Sequence, residues 1–139
     1  MAKRIQDIMT PSPVALSVTA SLIDTAMAMR DADVGAVVVL ENGQVCGIVT
    51  DRDIVVRGIA SGSYPATVKL GEICSRELTT LAPTDSVEDA IRLMREKAIR
   101  RLPVVEHGQP VGIVSLGDLA IEKDPHSALG NISAAPPNQ

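Results

Sequence analysis

Two stretches, Gly47-Ile-Val-Thr50-Asp-Arg-Asp53 and Gly112-Ile-Val-Ser115-Leu-Gly-Asp118, hold the residues of this 139-residue chain best suited to chemistry. Both read G-h-h-[ST]-x-x-D, with h an apolar residue. A carboxylate three residues past a hydroxyl, at the start of a helix, can accept hydrogen bonds from both hydroxyls of a ribose. The Ser or Thr hydroxyl and the helix amides can meet a phosphate, and an adenine ring can lie against the aliphatic strand residues. The same [ST]-x-x-D spacing is also that of a capping box, which needs no ligand. Both readings stand at this level. That the motif occurs twice, each time behind a glycine, favours the ligand.

Arg100-Arg101 forms a second candidate. The pair directly precedes the apolar run 102–105, so it sits at the mouth of a strand. Two adjacent guanidiniums there can clamp an anionic phosphate, or can be solvated surface arginines. Gly35-Ala36 stands 65 residues earlier, so the two candidate sites differ in charge.

Catalysis finds little support. The chain has no P-loop, no G-x-S-x-G elbow and no H-E-x-x-H motif. Asp53 and Asp118 are accompanied by no nucleophile, and an enzyme is not expected. Cys46 and Cys74 are too few for a disulfide scaffold and read as small buried hydrophobes. Their spacing suits no zinc motif, and His107 and His126 fall in an expected turn and an expected tail. No metal and no required cofactor are expected.

Composition narrows the partners. Hydrophobic residues make up 45% of the chain, Phe and Trp are absent, and Tyr64 is the one aromatic, so the core must be aliphatic. A net charge of −4 disfavours non-specific DNA binding. Absent aromatics remove the stacking platforms of RNA and single-strand binders. No apolar run approaches the roughly 20 residues of a membrane span, and no apolar segment of the signal-peptide kind follows Lys3 and Arg4. A cytoplasmic protein that binds neither nucleic acid nor membrane is expected.

The elements that must position these residues come as two copies. Residues 5–54 lie over residues 70–119 without a gap, with 15 identities among the 50 pairs. Each copy begins with a turn of helix (5–9, 70–74) and a short extended piece (14–18, 78–81). Ser21 and Ser86 then read as N-caps, each with Asp three residues on. The helices that follow place Leu22, Ala26 and Met29, and Val87, Ile91 and Met94, on one face. A strand at 36–40 or 102–105 turns through ENGQ or EHGQ into a second strand at 45–50 or 111–115, with Asn42-Gly43 as a hairpin signal. A last helix starts near Asp51 or Leu116.

The expected fold is α/β (α+β), two β-α-β-β-α repeats. A three-stranded sheet cannot cover its own apolar face, so the repeats are expected to pack sheet to sheet. Expected boundaries are 5–58 and 70–123 for the repeats, 59–69 for a linker and 124–139 for a mobile tail.

Asp7-Ile-Met-Thr10, Arg100-Arg-Leu-Pro-Val-Val105 and the two G-h-h-[ST]-x-x-D stretches together resemble the tandem CBS-domain pair, the cystathionine-β-synthase-type regulatory module. The resemblance covers residues 5–123 and is to small bacterial stand-alone pairs, some of them stress- or hypoxia-response proteins. It implies pseudo-twofold symmetry, homodimers, and clefts between the repeats for AMP, ADP, ATP or S-adenosylmethionine, with an unidentified regulated partner. By that resemblance Asp118 would hold a ribose, and Ser115 and Arg100 would meet the phosphate. Ile113, Val34, Gly35, Thr10 and Val14 would wall the adenine. A second cleft would use Thr50 and Asp53, with Ile48, Ile99 and Thr79 around the base. Three departures from the family pattern are Val38 in place of a proline, the uncharged Gly35, and Cys74-Ser75 in place of Met-Thr. A ligand-free scaffold with the same fold is the alternative.

Overall fold

The computed structural model describes residues 3–74 and 78–135, and its elements repeat at the same 65-residue interval as the sequence. α1 (Ile5–Ile8) is matched by α4 (Leu70–Ile73), and α2 (Leu22–Ala32) by α5 (Val87–Lys97). β3 (Ala36–Glu41) and β4 (Gln44–Thr50) are matched by β5 (Arg101–Glu106) and β6 (Gln109–Ser115). α6 (Leu116–Lys123) is a regular helix. Its counterpart α3 (Asp51–Asp53) passes into a π turn (Ile54–Gly58) and a 3-10 turn (Ile59–Ser61).

Local chemistry sets these boundaries. Ser21 Oγ accepts from Asp24 N at 3.0 Å and Ser86 Oγ from Asp89 N at 3.1 Å, capping α2 and α5. Both helices end on a left-handed residue, Asp33 or Ala98. Val34 N then donates to Met29 O, and Ile99 N to Met94 O, the 6→1 bond of a Schellman end. Asn42-Gly43 and His107-Gly108 all have positive φ, as a two-residue hairpin turn requires.

The buried stripes differ from expectation by one position. α2 buries Leu22, Thr25 and Met29, and α5 buries Val87, Ala90 and Met94; Ala26 is exposed and Ile91 only half-buried. Thr25 can be fully buried because its hydroxyl donates to Ser21 O at 2.8 Å, leaving no polar atom unsatisfied.

The chain divides into two compact units that are not the two repeats. Unit 1 takes the residues up to Pro11, Thr80–Glu106 and those from Val111 on; unit 2 takes Ser12–Thr79 with His107–Pro110. Each repeat therefore gives its first helical turn to the other repeat's unit. Ile5, at 0% exposure, belongs to the core of Leu81, Leu102, Val104 and Val114 in unit 1. Its backbone N–H donates to Asp85 O at 2.9 Å. Leu70, also at 0%, and Ile73 belong to the core of Val37, Val39 and Val49 in unit 2. Leu70 N donates to Ala20 O there.

The sheets differ accordingly. In unit 2, β2 (Ala15–Ser17) runs parallel to β3, which pairs antiparallel with β4. In unit 1 the order is β1-β6-β5, where β1 (Thr10–Pro11) runs antiparallel to β6. The extended piece expected at 78–81 is not a strand; only Leu81 bridges to Val104. Val38 N donates to Val14 O at 2.8 Å in unit 2. Pro103, at the matching place in β5, has no N–H to give, so the parallel ladder is cut to a single bridge. A second correction concerns the region after Lys123. Ser127 Oγ accepts from Gly130 N at 2.9 Å and starts α7 (Ala128–Ala134), where a segment without regular structure was expected. Ser133 of α7 lies against Gly117 of α6.

Truncating Ile5 to Ala should lower unfolding free energy by about 2–5 kcal/mol, the usual effect of emptying a buried aliphatic site. Urea denaturation would show it; an unchanged midpoint would mean that α1 is not part of the unit 1 core.

Candidate functional site

The site is built from the two ends of a hairpin. In unit 1, β5 begins beside Arg100 and β6 ends at Ser115, the N-cap of α6. Leu116 N donates to Arg100 O at 2.8 Å, fastening the strand mouth to the first residue of the helix. Unit 2 repeats the device, with Asp51 N donating to Gly35 O at 3.0 Å.

Both [ST]-x-x-D segments are closed capping boxes. Ser115 N donates to Asp118 Oδ2 at 2.8 Å, and Asp118 N donates to Ser115 Oγ at 3.1 Å. Thr50 N donates to Asp53 Oδ2 at 2.9 Å, and Asp53 N to Thr50 Oγ1 at 3.2 Å. The helix-cap role is therefore realised in both copies.

The two boxes are not equivalent beyond this. Thr50 Oγ1 donates a further hydrogen bond to Asp53 Oδ2 at 3.0 Å, and Arg57 Nε stands 3.9 Å from Asp53 Oδ1. Asp53 is thus engaged through both oxygens. In unit 1 the place of Arg57 is taken by Glu122, which pairs with Lys3 at 3.1 Å. Among the described residues no cation meets Asp118, whose Oδ1 stays outside the box. Asp118 and Ser115 are half-buried, as are Asp53 and Thr50.

Other sequence candidates divide between the units. Unit 1 brings together Thr10, Ile99, Arg100, Arg101, Ile113, Ser115 and Asp118, with Thr10 directly opposite Ile113 in the β1-β6 register. Unit 2 holds Val14, Val34, Gly35, Ile48, Thr50, Asp53 and Thr79. The arginine pair does not act as one clamp. Arg100 is exposed outside β5, while Arg101, its first residue, is half-buried and already engaged.

The glycine before each motif has a packing reason in unit 1. A Cβ on Gly112 would overlap the Met9 side chain and come within 3.1 Å of Thr10 O. Only a bare backbone lets β1 lie along β6.

A pocket of about 430 Å³ opens beside the start of α6, its walls including Met94, Arg95, Ile99, Arg100, Leu116 and Leu119. Arg95 escaped the sequence reading because a basic residue in the last turn of a helix is already accounted for by the helix dipole. Among the described residues no cluster of three His, Cys, Asp or Glu is placed to hold a metal ion. Cys74 is buried and Cys46 half-buried.

Comparison with known proteins gives a consistent result. Residues 5–58 and 70–123 each match the CBS domain model. The CBS domain-containing protein YhcV of Bacillus subtilis is 41% identical over 133 residues, covering 93% of this chain and 94% of the relative. Hypoxic response protein 1 of Mycobacterium tuberculosis is 30% identical over 130 residues, covering 93% and 91%. The CBS domain pair of protein MJ0100, solved in complex with 5-methylthioadenosine and S-adenosyl-L-methionine, superposes with a TM-score of 0.77. It covers 86% of this chain and 94% of that one at 22% identity, a likeness of fold.

Asp118→Ala, which opens the α6 box, should cost about 0.5–2 kcal/mol with no nucleotide present. Gly112→Ala should cost about 1–3 kcal/mol through displacement of Met9 and β1. Both are read from urea unfolding midpoints, and equality with the parent chain would remove the capping or packing role assigned to each.

Proposed function

The chain belongs to the CBS domain family, whose paired repeats form a regulatory module, and from that premise we propose that it is a sensor of an adenosine-containing ligand held at the start of α6 in unit 1. One observation carries the reading. Ser115, Asp118 and Arg100 are fastened at one strand mouth, with an uncommitted carboxylate oxygen and an exposed guanidinium. Asp118 would accept from the ribose hydroxyls, Ser115 Oγ and Arg100 would meet a phosphate, and Ile113 with Thr10 would lie along the base. AMP, ADP, ATP and S-adenosylmethionine are the candidate ligands. The MJ0100 pair, which shares the fold, supports the class by its two bound adenosine compounds.

The role is regulatory rather than catalytic. A ligand that prefers one arrangement of the module, or of a homodimer, shifts the population toward it and so changes what a partner protein meets. The Thr50–Asp53 box takes a structural role instead, because its carboxylate is already satisfied by Thr50 and Arg57.

Thermal melts of the chain with AMP, ADP, ATP and S-adenosylmethionine test this. A ligand bound only by the folded state adds roughly 2.7 kcal/mol at a hundredfold excess over its Kd. At least one of the four should raise the midpoint, and Asp118→Ala should abolish that increment while Asp53→Ala keeps it. If none of the four moves the midpoint, the ligand-free scaffold is the correct reading.

A further inference from the structure

Resting on the nucleotide reading above, we propose that Arg95 is a second phosphate-binding residue of the unit 1 site and makes it selective for a nucleoside di- or triphosphate over a monophosphate. Arg95, in the last turn of α5, and Arg100, at the mouth of β5, line the same pocket of about 430 Å³. Both are exposed, and among the described residues neither guanidinium has a hydrogen-bond or ion-pair partner. The walls between them are apolar, including Ile99, Leu116 and Leu119, so nothing inside the pocket offsets the two like charges. Leu116 is also the first residue of α6, which places this opening next to the Ser115–Asp118 box.

An anion with two adjacent phosphates matches this arrangement. One phosphate meets Arg100 and Ser115 as in the reading above; the next, a bond further out, falls to Arg95. A guanidinium donates in a planar fork suited to phosphate oxygens, and such charge-assisted bonds are stronger than neutral ones. A monophosphate held by Arg100 and Ser115 leaves no second phosphate for Arg95, and S-adenosylmethionine has none, offering only the carboxylate of its amino-acid end.

Unit 2 is an internal comparison. Arg30 is the counterpart of Arg95, but it pairs with Asp31 at 3.0 Å, and the counterpart of Arg100 is the uncharged Gly35. The charge that unit 2 neutralises on its own helix is left open in unit 1. A helix-dipole role accounts for a basic residue at either position, but not for this difference between them.

Titration calorimetry of the full chain with AMP, ADP and ATP decides the matter. ADP and ATP should bind at least about tenfold more tightly than AMP, the worth of one charge-assisted hydrogen bond. Arg95→Gln should remove that advantage while AMP affinity stays within about twofold, and Arg95→Lys should keep part of it. Arg100→Gln should weaken all three. Equal binding of AMP and ADP by the parent chain overturns this inference and leaves the sensor reading intact. So does an Arg95→Gln variant that keeps its preference for ADP, or one that merely melts earlier. A parent chain that binds none of the three nucleotides overturns the nucleotide reading itself, and this inference with it.

Discussion

Ile5 sits fully buried in a core made by Leu81, Leu102, Val104 and Val114, while Leu70 fills the matching place among Val37, Val39 and Val49. The rest of the molecule depends on this exchange. A three-stranded sheet with one helix leaves part of its apolar face uncovered, and here a helical turn borrowed from the other repeat closes it. Neither repeat has a complete core in its own sequence, so the pair is the smallest unit that can fold in this way. The same exchange delivers β1 to β6, and with it Thr10 to Ile113.

The two copies of the motif also stand in different surroundings. Both [ST]-x-x-D boxes cap a helix, and the backbone hydrogen bonds of the two are nearly superimposable in length. What separates them lies one turn away. Arg57 faces Asp53, whereas Glu122 in the same register turns to Lys3, and among the described residues no cation meets Asp118. Capping and ligand binding are therefore compatible in one residue, since the cap uses a single carboxylate oxygen of Asp118.

Much of this was legible from residue order. The ungapped 65-residue offset carried over element by element, because each N-cap serine, hairpin Asn-Gly or His-Gly and closing [ST]-x-x-D is a local device that acts within a few residues. Readings went astray where the deciding partner is distant. Ala26 was placed on the buried face because apolar spacing alone cannot show that the Thr25 hydroxyl is satisfied by Ser21 O. The extended piece at 78–81 was expected by analogy with 14–18, yet Pro103 withholds the N–H that such a strand needs. α7 has a good cap in Ser127 but too short an apolar pattern to be recognised before its contact with Gly117 is seen.

By itself, the sequence determined the twofold repetition, the family, the helix starts and turns, and the residue types at each strand mouth. These follow from spacing and from side chains that bond to their own neighbours. Tertiary structure alone decided which repeat completes which core, which carboxylate keeps an open oxygen, and that Arg95 and Arg100 share one pocket while Arg30 is paired off. Those outcomes depend on residues brought together from different elements, and no local pattern records where a distant side chain will come to rest.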